Sequence, residues 1–249
     1  MAKPVRVAVV TGANRGLGLE TCRQLGRGGM TVVLCARDAA KGRAAAEALA
    51  GEAISVVPAV LDVTDPAAIT VLAERVAREL GRVDVLVNNA GIFLDAETDE
   101  REGQTEGLGP ASVFAAKVET LRANMDVHVY GPLLLAQAFV PMMRAQGYGR
   151  IVNVSSGSGQ LHDMPGGQPG YRISKAGLTA LTRILAAELA GGNILANAVC
   201  PGWVRTDMGG PSATVDVEDS AKGLMQRFDA LTLATTGVFE DYRGEAIAF

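Results

Sequence analysis

The stretch "YRISK" places Tyr171 and Lys175 four residues apart, one turn along one face of a helix. A phenol titrates near pH ~10, so acid–base work near neutrality requires its anion to be stabilised. A lysine ammonium alongside does that. Lowering the phenol by two or three units asks for roughly 3–4 kcal/mol, within reach of a partly desolvated site. The same pair on a solvated face would do no chemistry. A second stretch meets it from another direction: "IVNVSSG" is an apolar run that ends in serines just upstream. Ser156 is placed to hydrogen-bond a substrate oxygen that Tyr171 protonates. Ser155 and Ser158 compete for that part, and serines after a strand are often turn formers.

"VAVVTGANRGLGLE" reads as a strand, a glycine-rich turn and a helix start. Gly12, Gly16 and Gly18 let the backbone turn tightly and approach a pyrophosphate, which free N–H groups at the helix N-terminus stabilise. Asn14, Arg15 and Leu17 belong to the same turn. A glycine pattern of this kind also fits an ordinary strand-to-helix turn. The second strand sharpens it, since "LCARD" puts Arg37 where a dinucleotide site keeps an acidic residue for the adenosine ribose. An arginine there suits a 2′-phosphate, which it holds in a bidentate grip, and Arg15 adds a second positive charge. These residues point to NADP(H). Asp62, followed by Val63 at the end of the third strand, either accepts a hydrogen bond from the adenine amino group or caps the "DVTDP" turn.

The elements that must position these groups follow from the apolar patterning. "VRVAVV", "TVVLCA", "ISVVPAVLD", "VDVLVN", "RIVNVS" and "ILANAVC" read as strands buried on both faces. Helical patterns lie between them over about 16–28, 40–50, 66–80, 113–145 and 170–190, and Asp65–Pro66 supplies a cap and a first-turn proline for the third. This alternation predicts an α/β fold, a doubly wound (Rossmann-type) parallel sheet with helices on both faces, in a single domain over 1–249. Two segments fit it poorly, 93–112 and 157–170, and irregular loops after strand ends are where ligands sit. The acidic run "DAETDERE" within the first reads as a solvated face.

The bulk numbers exclude several functions. The 249 residues are 48% hydrophobic with a formal net charge of −4, and no basic stripe offers itself to nucleic acid or an anionic membrane. Cys22, Cys35 and Cys200 are widely spaced and read as small buried hydrophobes in a reducing, cytoplasmic setting, with no disulfide frame and no metal site. The N-terminal apolar run is too short for a signal peptide.

Taken together, "TGANRGLG", "NNAG" at 88–91, "VSS", "YRISK" and "CPGWVRTDMGGP" at 200–211 resemble the short-chain dehydrogenase/reductase family, over nearly the whole chain and in the right order. "TGANRGLG", "CARD" and "CPGWVRTDM" are most similar to its carbonyl reductase branch. The resemblance implies that Asn89, Ala90 and Gly91 line the adenosine side of the cofactor. It implies that Pro201, Gly202, Val204 and Thr206 hold the nicotinamide, and that Lys175 also binds the nicotinamide ribose. The reaction it implies is reversible hydride transfer between NADPH and a ketone or aldehyde, with Tyr171 as the acid–base group, Ser156 orienting the oxygen and an oxidised nicotinamide helping to stabilise the phenolate.

The family commonly carries an asparagine in an Asn-x-x-Gly motif that holds a proton-relay water beside the lysine. Here "HVYG" falls on it, so His128 occupies that position, with Asn124 one turn earlier. His128 either serves the relay as a catalytic group or is a satisfied core histidine. Two other functions follow from the same residues: an NADP-binding sensor without turnover, for which His128 is the only motive, and a halide-expelling relative, which would call for a spoiled glycine turn. Phe93, Leu94, Leu161, Met164, Trp203 and Met208 suggest a hydrophobic substrate. Relatives associate through the long helices, yet the branch includes monomers, so a homo-oligomer and a monomer both fit.

Overall fold

Near-continuous valine, isoleucine and leucine runs can pair side by side only where helices cover both faces of the sheet. The computed structural model describes residues 4–95, 111–229, 231, 232 and 234–248. Its strands are β1 (Val7–Val10), β2 (Thr31–Ala36), β3 (Val56–Val60), β4 (Val85–Asn88), β5 (Gly149–Val154), β6 (Ile194–Cys200) and β7 (Phe239–Asp241). They form one sheet in the order β3-β2-β1-β4-β5-β6-β7, parallel at every pairing. The order reverses between β1 and β4, the point at which such sheets open a crevice at their carboxyl ends.

Alternation along each strand sends neighbouring side chains to opposite layers. Ala8 and Val10 pack with Cys22 and Leu25 of α1 (Gly16–Arg27), Leu49 of α2 (Ala39–Gly51) and Leu224 of α7 (Val217–Asp229). Val7 and Val9 face the other layer, with Leu72 of α3 (Pro66–Glu79), Phe139 of α5 (Gly131–Gln146) and Ala186 of α6 (Pro169–Glu188). The α3 start is as the sequence reads: the Asp65 carboxylate accepts from the N–H of Ala67 and Ala68, with Pro66 in the first turn. A buried polar ladder registers α6 on the sheet. Asn88 Nδ2 donates to Asn153 Oδ1 at 2.7 Å, and Asn153 Nδ2 donates to Thr182 Oγ1 at 2.8 Å.

The structure corrects two expectations and adds two elements. β3 is not buried on both faces, because it is the sheet's edge and Val60 stays 60% exposed. The helix expected over 113–145 begins only at Val118 as α4 (Val118–Met125), and a π-helical turn at Asp126–Tyr130 separates it from α5. Beyond the expected elements, α7 begins at Val217, and β7 adds a three-residue strand too short to carry a pattern. Most of the acidic run from 95 onward lies outside the described residues.

Candidate active site

The glycine turn sits on the reversal of strand order and is stitched across it. The Thr11 hydroxyl donates to Val87 O and accepts from the N–H groups of Asn89 and Ala90, each at 3.0 Å. Asn89 Nδ2 donates to the carbonyls of Thr11 at 2.8 Å and Gly12 at 3.1 Å. Gly12 has φ +62°, and a Cβ there would stand 2.8 Å from Ala90 Cα, so only glycine fits the turn. The helix it opens is unlike its neighbours. α2 and α3 are capped by Asp38 and Asp65, whereas α1 starts at Arg15 with no side-chain cap and no acidic residue in its first turn. Its first N–H groups are left for an outside acceptor, which fits the pyrophosphate of a dinucleotide.

That turn forms one end of a cleft of about 970 Å³. Along its walls lie Gly12, Asn14, Arg15, Gly16, Leu17, Gly18, Arg37, Asp62, Val63, Asn89, Ala90 and Gly91. The far end is lined by Tyr171, Lys175, Ser156, His128, Pro201, Gly202, Val204 and Thr206. Arg15 and Arg37 are both exposed at the glycine-turn end, where Arg15 pairs with Asp207. Lys41, one turn beyond Arg37, lines the same wall and adds a cation that the sequence reading missed. Asp62 Oδ1 accepts from the Thr64 N–H and hydroxyl, so it does cap its own turn while also lining the cleft. Burial works against its charge, but those bonds and nearby Arg37 hold its carboxyl below the usual range.

At the chemical end, three elements converge. Ser156 follows β5, accepts from the Ser158 N–H at 3.2 Å and lines the cleft with Tyr171, whose phenolate its hydroxyl favours. Ser155 is spent on structure, bonded to the Lys175 carbonyl and the Thr179 hydroxyl. Lys175 is buried, and its Nζ donates to Val154 O at 2.9 Å and lies 5.5 Å from the centre of the Tyr171 ring. Burial brings its ammonium down to about 8. The expected depression of the phenol is not what this geometry produces. Burial raises Tyr171 above its ordinary value, against the Ser156 hydroxyl, which favours the phenolate.

The structure also decides between the readings of His128 and departs from several expectations. Both ring nitrogens of His128 are committed: Nε2 accepts the Ile92 N–H at 3.1 Å, which leaves the proton on Nδ1 to face Ser174 Oγ at 2.8 Å. Ser174 Oγ in turn donates to the Tyr171 carbonyl at 2.8 Å. Burial and the Lys175 charge push the imidazole down to about 2, so it stays neutral and has no nitrogen for a relay water. Asn124 Nδ2 donates to Thr120 O at 2.9 Å, while its buried Oδ1 has no partner among the described residues. Cys200 is not a buried hydrophobe but a half-buried cleft residue, its Sγ accepting from the Gly157 N–H at 3.2 Å. Of the apolar residues expected around the substrate, Phe93, Trp203 and Met208 line the cleft, while Leu94 faces a second, smaller cavity and Leu161 and Met164 line neither. Asp95, counted with the solvated acidic run, is buried against the start of α6.

Comparison with known proteins agrees with this layout. Residues 6–215 match the family described as short chain dehydrogenase. The chain is 36% identical over 264 residues to a (+)-neomenthol dehydrogenase of Arabidopsis thaliana, covering 87% of this chain and 88% of that protein. It is 34% identical over 261 residues to the protein of Bos taurus named carbonyl reductase (NADPH) 1, covering 87% of this chain and 88% of that protein. A crystal structure of NADPH-bound carbonyl reductase from chicken fatty liver superposes with a TM-score of 0.86 at 31% identity, over 99% of this chain and 100% of that one.

The His128 geometry has a consequence for stability. As pH falls below 6.5 the unfolded chain protonates this imidazole and the folded chain, held at about 2, does not. Stability from this group is therefore complete above 6.5 and is lost on acidification, by up to ~1.4 kcal/mol per pH unit. Unfolding free energies between about pH 7 and about pH 5 should fall more steeply for the parent than for His128→Asn. Equal slopes would contradict the neutral, doubly bonded imidazole.

Proposed function

The chain belongs to the short-chain dehydrogenase family, and from that premise we propose that its cleft performs NADPH-dependent reduction of a carbonyl group, reversible as oxidation of the alcohol. The observation that carries the reading is Tyr171, in one cleft with Ser156, with the Lys175 Nζ 5.5 Å from its ring centre, and with the uncapped amides of α1. The first amides of α1, with Gly12 and Gly16, would hold the pyrophosphate. Arg15 and Arg37 would take the 2′-phosphate, and Asn89–Gly91 and Pro201–Thr206 would border the rest. When bound, the reduced nicotinamide supplies the hydride that the carbonyl carbon receives.

The chain's own part is the proton and the charge it leaves behind. Because burial raises the phenol, Tyr171 is protonated at neutral pH and enters the reaction as the acid. It gives that proton to the carbonyl oxygen, which Ser156 orients. The resulting phenolate is favoured by the Ser156 hydroxyl and faces the Lys175 ammonium. Lys175 is anchored by Val154 O, so its charge needs no rearrangement to act. Phe93, Trp203 and Met208 support a hydrophobic substrate, and the Trp203 ring is braced by its Nε1 donating to Gly209 O at 2.8 Å. A single sheet that builds the entire cleft supports reading the chain as one domain, and three free cysteines support a reducing, cytoplasmic setting. The sensor alternative had its motive in His128, whose nitrogens are both bound to protein groups.

A panel of aldehydes and apolar ketones should consume NADPH with stoichiometric alcohol formation. NADPH that binds but is not consumed by any of them would overturn the reading. The rate of reduction should be level on the acid side and fall as pH rises through about 8, where Lys175 loses its charge. A rate that rises through that range would contradict the role given to the ammonium. Replacing Arg37 with serine should raise the KM for NADPH by about 10- to 100-fold, the equivalent of one charged hydrogen-bonded contact, and leave that for NADH nearly unchanged. Parallel changes for both cofactors would remove the 2′-phosphate assignment.

A further inference from the structure

We infer that Asp95 is a positioning residue for the proton donor: its buried carboxylate caps, from the loop after β4, the helix that carries Tyr171. This rests on the reading of Tyr171 as the acid and adds to it the group that fixes where the acid stands.

α6 lacks the means to start itself. The residue at its cap position, Gln168, has φ +53° and offers no side-chain hydrogen bond to the first turn, which also contains no acidic residue. A non-glycine residue in the left-handed region is strained and persists only where its surroundings hold it. Pro169 occupies the first helical position and has no N–H to satisfy. The next two amides, Gly170 and Tyr171, are those that a serine or aspartate cap would normally take. Asp95 takes both of them from far upstream: Oδ1 accepts from Gly170 at 2.9 Å and Oδ2 from Tyr171 at 2.8 Å. A carboxylate at a helix N-terminus also meets the positive end of the helix dipole.

The approach is built into the neighbouring residues. A Cβ at Gly170 would lie 3.2 Å from each Asp95 oxygen and 2.9 Å from Asn124 Nδ2, so glycine at this position leaves room for the carboxylate. Gln168 is held in turn, its N–H donating to Ala111 O at 2.8 Å. Asp95 and Ala111 therefore tie the chain between β4 and α4 to the start of α6, at Gln168, Gly170 and Tyr171.

The stretch 92–95 reaches Tyr171 by three routes. Asp95 holds its backbone N–H. Phe93 packs edge-on against its ring with centroids 5.2 Å apart. Ile92 bonds His128, which lies edge-on to the same ring at 5.6 Å and connects through Ser174 to the Tyr171 carbonyl. Hence the amide, the carbonyl and the ring of the acid are all set by one short segment that touches no reacting atom through Asp95. A displacement of about 1 Å in such a group costs on the order of a hundredfold in rate.

The test compares Asp95→Ala and Asp95→Asn with the parent in the full chain. For Asp95→Ala, kcat of NADPH-dependent reduction should fall at least about tenfold, while the NADPH dissociation constant, read from nicotinamide fluorescence without substrate, stays within about twofold. Asp95→Asn keeps one acceptor oxygen and should recover part of kcat. Amide exchange at Gly170 and Tyr171 should be faster in Asp95→Ala than in the parent. The inference is overturned if Asp95→Ala keeps kcat within about twofold of the parent, or if kcat and NADPH affinity fall together in both variants. The exchange measurement needs no turnover. A parent that reduces no carbonyl would thus count against the reductase reading, while exchange at those two amides would still decide for or against the cap.

Discussion

Tyr171 and Lys175 are held where packing disfavours the charged form of each. The same burial raises the phenol and lowers the ammonium from 10.5 to about 8. Keeping the lysine charged at neutral pH costs the fold about 3 kcal/mol relative to the unfolded chain, a penalty present below the folded value and gone above the unfolded one. In the proposed reduction Tyr171 is the proton donor, a part that a phenol kept protonated by burial can play. An ammonium in the same dry setting then acts on the new phenolate with far less screening than water would impose. The strain and the chemistry have one origin.

The sheet is what makes that burial possible without closing the site. β1 and β4 diverge in their connections at the reversal of strand order, and Thr11 and Asn89 bind the two sides together. The ladder from Asn88 through Asn153 to Thr182 sets α6 on the same sheet. The uncapped amides of α1 and the Tyr171 side chain are thus referred to one rigid frame. The Ile92–Asp95 segment adds a finer adjustment at the first turn of α6.

Much of this was legible in the residues because the signals are local. The glycine turn, "YRISK", the serines after "IVNV" and the Asp65–Pro66 start each declare themselves within a few positions, and apolar runs mark six of the seven strands. What stayed hidden depends on distant partners. His128 carries the same side chain whether it binds water or an amide, and only the approach of Ile92 and Ser174 decides. Asp95 sits at the head of an acidic run that reads as solvated, and its partners lie 75 and 76 residues away. Cys200 looks like any strand cysteine until the Gly157 turn brings it to the cleft. β7 is too short to show alternation.

The account stands or falls on the proton of Tyr171. Single-turnover reduction of a ketone by the preformed NADPH complex, compared between the parent and Tyr171→Phe, isolates that proton from binding and product release. The variant should bind NADPH as the parent does and transfer hydride at least about a hundredfold more slowly. Hydride transfer in the phenylalanine variant as fast as in the parent would contradict the assignment.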